Sequence, residues 1–194
     1  HHDSHRRQRQ MCIRDRIQDV GNNQNVNLTE SKYLSIIDAK TAELFRISCF
    51  LPTIITDQDK RTQKIFNDFG FNFGMAFQLS DDVLDYFGDS SKMGKSVGKD
   101  FFEGKVTYPV IHCFKKSDKK SKKIIAKLFF KRKRSKKDLA VILNLMKKTN
   151  TYKSSIEFVR KYAEKAKTNI NKFEGNKYKV YLDELVDHLI IRDK

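Results

Sequence analysis

The chain has 194 residues and a mass of 22.8 kDa, the size of a single domain whose core needs no disulfide or structural metal. Hydrophobic residues at 39% and charged residues at 33% exclude a fibrous or disordered chain, and no apolar run reaches the roughly 20 residues of a membrane span. Two prolines and eight glycines are too few for a turn-rich β protein, so an all-α fold is expected. The three cysteines, Cys12, Cys49 and Cys113, are too scattered for a disulfide scaffold or a thiolate zinc site. A reducing, cytoplasmic setting is expected.

Residues 1–16 carry five arginines and no lysine, whereas the remainder carries 29 lysines and six arginines. They also lack a hydrophobic period, so they are expected to be extraneous to the fold or disordered. Beyond them the pattern is helical. Thr29 is an N-cap candidate for a helix running to about Leu51 and ended by Pro52, with Tyr33, Leu34, Ile37, Leu44, Phe45 and Ile47 at helical spacing. A long helix follows from about Gln58 to Phe87, its stripe formed by Ile65, Phe66, Phe69, Phe73, Ala76 and Phe77, with Gly88 as its stop. Pro109 opens a short helix through Phe114, and helical patterns return near 138–148, 151–173 and 177–192.

The net charge of +16 is unevenly spread. Lys115–Lys137 holds thirteen Lys or Arg against the one acid Asp118. A solvated loop between helices is the simpler reading, since the run lacks the interleaved aromatics of a base-stacking surface. Binding to nucleic acid or to an anionic membrane surface is the alternative. Phe129 and Phe130 form a short apolar island suited to helix packing.

Chemistry concentrates between Phe73 and Pro109. Gln78, Asp81, Asp82 and Asp85 share one helix face, and three carboxylates so placed repel one another unless a cation offsets them. Hard oxygen ligands at this spacing suit Mg²⁺ bridged to a phosphate-bearing substrate. Gly70 and Gly74 continue the face backwards and admit the close approach of another helix or of a ligand chain. Next comes a glycine-rich loop with Lys95, Lys99 and Lys105, placed to hold phosphate oxygens as point charges. It is not a P-loop: five residues, not four, separate Gly88 from Gly94, and the loop follows a helix. Lys92–Ser96 resembles the lysine signature of class I aminoacyl-tRNA synthetases, but the chain has no nucleotide-binding α/β pattern to support that.

These residues together resemble the trans-type polyprenyl diphosphate synthases. Phe73–Tyr86, with its Gln78 and Asp81-Asp82-Val83-Leu84-Asp85, is similar to that family's second aspartate-rich motif. Gly94-Lys95, Gly98-Lys99-Asp100 and Glu103–Pro109 are similar to its downstream loop. Asn27–Glu30, Tyr33-Leu34 and Lys40–Phe45 resemble the long-chain, octaprenyl-type branch that makes quinone side chains, and Tyr162–Ala166 and Tyr181–Arg192 resemble its closing helices. The resemblance implies an isoprenoid synthase-type helical bundle and head-to-tail (1′-4) condensation of isopentenyl diphosphate with an allylic prenyl diphosphate. It implies Mg²⁺ held by Asp81, Asp82 and Asp85, with Asp81 and Lys95 catalytic. Lys40, Thr41, Gln78, Lys95 and Lys105 would contact the allylic diphosphate. A homodimer when complete, no nucleic-acid partner, and room for peripheral membrane contact are expected as well.

One departure bears on activity. Asp-Asp occurs only at 81–82, whereas the family carries two such motifs. Residues 17–194 are therefore expected to be the C-terminal part of one synthase domain, a bundle incomplete at its N-terminus and inactive by itself. Asp183 and Asp187 read as an amphipathic tail. A non-catalytic partner subunit of a heteromeric prenyltransferase, or more remotely a basic helical nucleic-acid-binding protein, are the other readings.

Overall fold

The computed structural model describes residues 24–88, 97–174 and 177–191, and every regular element among them is helical. The expectation about residues 1–16 lies outside the described residues. In chain order the elements are α1 (Glu30–Ile37), a π-helical turn (Asp38–Ala42), α2 (Glu43–Ile55), α3 (Lys60–Phe87), α4 (Lys99–Glu103), α5 (Tyr108–Lys116), α6 (Lys119–Phe129), α7 (Lys136–Lys148), α8 (Thr151–Ile170) and α9 (Lys179–Ile191). They form two compact units: the described parts of His1–Ala39 with Asp82–Ser155, and those of Lys40–Asp81 with Ile156–Lys194.

In the second unit, α2, α3, α8 and α9 share one core. Ile65, Phe69 and Ala76 of α3 meet Ala163, Ala166 and Ile170 of α8 and Val186 and Leu189 of α9. Side-chain bonds fix the register: Asn72 Nδ2 donates to Asn169 Oδ1 at 3.0 Å, Ser80 Oγ donates to the Leu189 carbonyl at 3.2 Å, and Lys167 pairs with Asp187 at 2.5 Å. The tail reading of Asp187 thus has a physical basis. The glycine face of α3 receives a helix. A Cβ on Gly74 would lie 2.6 Å from the Ala42 Cα, and one on Gly70 would lie 2.6 Å from the Phe45 carbonyl oxygen. Phe45 then packs edge-on against Phe73 at 5.2 Å.

The helix expected to stop at Pro52 continues to Ile55. Proline removes one donor, and here the orphaned acceptor is the carbonyl of exposed Ser48, which water can reach. Beyond it Thr56 closes the helix by donating both its N–H and its hydroxyl to the Pro52 carbonyl. Leu44 and Ile47, which the sequence places at helical spacing, are exposed along with Leu51, Ile54 and Ile55.

In the first unit α5 is central, packing on α1, α6 and α7. The basic run is not a loop. Asp118 caps α6 by accepting from the Ser121 N–H at 2.6 Å, and Ile125, Leu128 and Phe129 bury its inner face while the lysines point outward. Phe129 is fully buried and Phe130 is 81% exposed, so the apolar island divides. Arg134 belongs to the interior. It donates to the carbonyls of Leu128, Phe129 and Phe102 and lies within 6 Å of the Phe101 and Phe129 ring centroids. Its guanidinium occupies the space above Gly104, where a Cβ would sit 2.8 Å from it.

Ser135 and Asp138 form a reciprocal capping box at the start of α7. The Lys131 ammonium, 2.6 Å away, and the Ser135 N–H hold the Asp138 carboxyl down at about 2. Because this pKa lies below the unfolded value of roughly 3.9, the box stabilises fully above pH 4 and its contribution is lost as pH falls toward 2. Asp138→Asn should therefore lower the thermal midpoint at pH 6, with the gap from the parent narrowing between pH 4 and 2. Gly74→Ala should cost about 1–3 kcal/mol of unfolding free energy in denaturant titration, because the new methyl meets backbone.

Candidate functional site

The π turn places the first pair of expected site residues. A π turn adds a residue to the helical circuit, and such turns concentrate where a side chain must be re-aimed. Here it carries Lys40 and Thr41, and Thr41 Oγ1 donates to Gln78 Oε1 at 2.6 Å. Two residues 37 positions apart in the chain, both expected to contact a diphosphate, are thereby joined. The contact depends on the bare backbone of Gly74, one turn before Gln78. Lys40 is exposed beside it.

The three carboxylates of α3 take different environments. Asp81 is exposed and makes no hydrogen bond or ion pair among the described residues. Asp82 is buried, and Tyr33 of α1 donates its hydroxyl to Asp82 Oδ2 at 2.5 Å. Burial, reinforced by the Asp82 charge, pushes the Tyr33 phenol well above its usual range, so it stays a donor through the physiological range. Asp85 is half-buried and binds the next segment through two oxygens: its carbonyl accepts from the Gly98 N–H at 2.6 Å, and its Oδ2 accepts from the Asp100 N–H at 3.0 Å.

That pair of bonds fixes where the chain re-emerges after α3. Gly98 has φ +85°, a conformation in which an L side chain is strained, and a Cβ there would also press on the Leu139 side chain at 2.6 Å. Lys105 Nζ lies 2.6 Å from Glu103 Oε2 and 3.8 Å from Asp100 Oδ1, so its charge is balanced locally. Lys95 lies outside the described residues. Thr41 with Gln78, and Asp85 with Asp100 and Lys105, are thus brought together, while Asp82 is turned toward Tyr33.

Whether these residues suit a divalent cation can be judged from their chemistry. Among the described residues no three His, Cys, Asp or Glu side chains cluster to hold a metal unaided. Mg²⁺ does not demand that, since it is commonly held by one or two carboxylates together with substrate phosphates and water. Exposed Asp81 can supply one such carboxylate, and Asp85 lies one turn on along the same helix. Asp82 fits as an indirect support.

Two features escaped the sequence reading. Helical spacing places Tyr33 on its helix, and only the fold shows its hydroxyl on Asp82. The exposed apolar side chains of α2, immediately after Lys40-Thr41, carry a core-like period that sequence alone assigns to packing.

The family model for polyprenyl synthetase matches residues 5–146. The chain is 33% identical over 164 residues to the geranylgeranyl pyrophosphate synthase of Geoglobus acetivorans, covering 84% of this chain and 49% of that protein. It is 41% identical over 92 residues to the octaprenyl diphosphate synthase of Escherichia coli (strain K12), covering 46% and 28% respectively. Its fold is similar to a polyprenyl synthase from Caulobacter crescentus CB15 complexed with calcium and isoprenyl diphosphate, with TM-score 0.88 and 29% identity over 95% of this chain and 56% of that one. The chain spans about half the length of the curated relatives it matches.

Tyr33→Phe should remove the donor from a buried carboxylate and cost about 1–3 kcal/mol of stability near pH 7, read by denaturant titration. Tyr33→Leu should be no less harmful, whereas Tyr33→Phe combined with Asp82→Asn should recover part of the loss.

Proposed function

This chain belongs to the polyprenyl synthetase family, and from that premise we propose that the whole protein is a prenyltransferase joining isopentenyl diphosphate to an allylic prenyl diphosphate. The observation that carries this reading is the Thr41–Gln78 bond, which sets the π turn beside the face that bears Asp81. We read the product as long-chain, of octaprenyl type and serving quinone side chains; the 41% identity over 92 residues to the octaprenyl diphosphate synthase of Escherichia coli (strain K12) favours the octaprenyl part of that reading.

In this reading the allylic diphosphate departs, the isopentenyl double bond attacks the cationic carbon left behind, and a proton is lost from the adduct. Lys40 and Lys95 bind diphosphate oxygens as the leaving group gathers charge, with Lys105 drawn from its acidic neighbours toward the same anion. Thr41 and Gln78, already bonded to each other, orient it. Asp81, with Asp85 and supported by Asp82, would hold Mg²⁺, which supplies positive charge against the leaving diphosphate. Asp85 keeps the loop in place through the Gly98 and Asp100 amides. The exposed apolar face of α2, Leu44 to Ile55, follows directly after Lys40-Thr41 and is suited to the prenyl chain. A second half of the fold, with its own acidic motif, completes the enzyme, which acts as a homodimer.

The isolated 194-residue chain should show negligible Mg²⁺-dependent elongation of geranyl or farnesyl diphosphate. Joined to the remaining half of the fold from a relative, Asp81→Ala should cost on the order of 10²–10³ in kcat, as loss of an electrostatic contact to a developing charge does. Asp85→Ala should cost less, and Asp183→Ala should be nearly silent. Equal losses at Asp183 and Asp81, measured by radiolabelled isopentenyl incorporation, would remove the α3 face from the mechanism.

A further inference from the structure

The synthase reading leaves the basic segment without a role, and the fold changes what that segment is. It is a structured surface. The outward face of α6 presents Lys119, Lys120, Lys123 and Lys127 with Ile124 and, at the helix end, Phe130, and all six are exposed. An eleven-residue helix is only about 16 Å long. Lys131, Arg132 and Lys133 follow directly. The acids that could neutralise this face are engaged elsewhere: Asp118 caps α6, and Asp138 serves the capping box and Lys131.

Phe130 decides the partner. It is 81% exposed although its neighbour Phe129 is fully buried, and Arg134 donates to the Phe129 carbonyl just behind it. A merely solvated lysine face has no use for an exposed phenylalanine and isoleucine among its cations. Duplex nucleic acid would satisfy the lysines, but the aliphatic Ile124 has no base to stack on. An anionic bilayer satisfies both: its phosphates take the ammonium groups, while the acyl boundary below takes Phe130 and Ile124. Among the described residues no helix is long and apolar enough to cross a membrane, so such contact lies in the interfacial plane.

We propose that the outward face of α6, with the Phe130–Lys133 corner, docks this protein onto an anionic lipid surface. The inference rests on exposure and charge alone and stands whether or not the synthase reading does. Docking is electrostatic in reach and apolar in hold. It should weaken sharply as salt shortens the Debye length below its value of about 10 Å at 0.1 M.

The test is co-sedimentation of the 194-residue chain with sucrose-loaded vesicles of 70% phosphatidylcholine and 30% phosphatidylglycerol, against pure phosphatidylcholine. Binding to the anionic vesicles only is expected. Each of Lys120→Gln, Lys123→Gln and Lys127→Gln should cut the partition coefficient about fivefold, equivalent to about 1 kcal/mol per charge near such a surface. The single controls Lys153→Gln, Lys161→Gln and Lys165→Gln, each removing the same one charge from exposed positions of α8, should change it less than twofold. Phe130→Ala, at a site too exposed to unfold the chain, should lower binding several-fold at unchanged charge, and Phe130→Trp should restore it with a blue-shifted emission on vesicle addition. Helicity by circular dichroism confirms that each variant is folded. No binding to anionic vesicles, an equal loss in the controls, or indifference to Phe130→Ala would overturn the proposal. So would displacement of the protein from vesicles by random duplex DNA at equal phosphate concentration, which would assign the face to nucleic acid.

Discussion

Position 74 can hold nothing larger than a hydrogen atom without displacing the turn that delivers Thr41. The Ala42 backbone lies where its Cβ would be, and Gly70 makes the same allowance one turn earlier for Phe45 and Arg46. Because the two backbones approach this closely, Thr41 reaches Gln78, and a π turn can be held in place by packing rather than by its own weak hydrogen-bond circuit. The same approach seats Phe45 on Phe73 and leaves the other side of α2 bare. One steric requirement thus sets the Thr41–Gln78 pair, the core and the apolar face together.

The acidic doublet shows how adjacent identical side chains divide labour. A helix rotates by about 100° per residue, so Asp81 and Asp82 face different surroundings. Asp81 is left in solvent with unfilled oxygens, while Asp82 goes inward and needs the Tyr33 hydroxyl to be tolerable there. Asp85, another turn on, accepts the backbone amides of Gly98 and Asp100 and so holds the start of α4.

The basic segment obeys the same logic with opposite sign. Lysines accumulate on the outer face of α6 because its inner face is filled by Ile125, Leu128 and Phe129. Arg134, which composition groups with them, does the reverse: it stacks on two aromatic rings and satisfies three carbonyl groups, a task for which a lysine lacks the planar fork. Counting charge along the chain cannot separate these two uses.

The sequence by itself determined the helical class, the span of α3, the N-cap Thr29, Pro109 in the first turn of α5, and the family resemblance. Those features are written in local periodicity and residue chemistry, which a linear reading sees. It also marked Gly70 and Gly74 as a point of close approach, without saying what approaches. Only the tertiary structure decided that α2 fills that place, that Tyr33 holds Asp82, that Arg134 is interior, and that Leu44, Ile47 and Phe130 are bare. Each of these depends on which residues distant in sequence come within a few ångströms, and an apolar or basic side chain has the same local pattern whether its neighbour is protein, ligand or solvent.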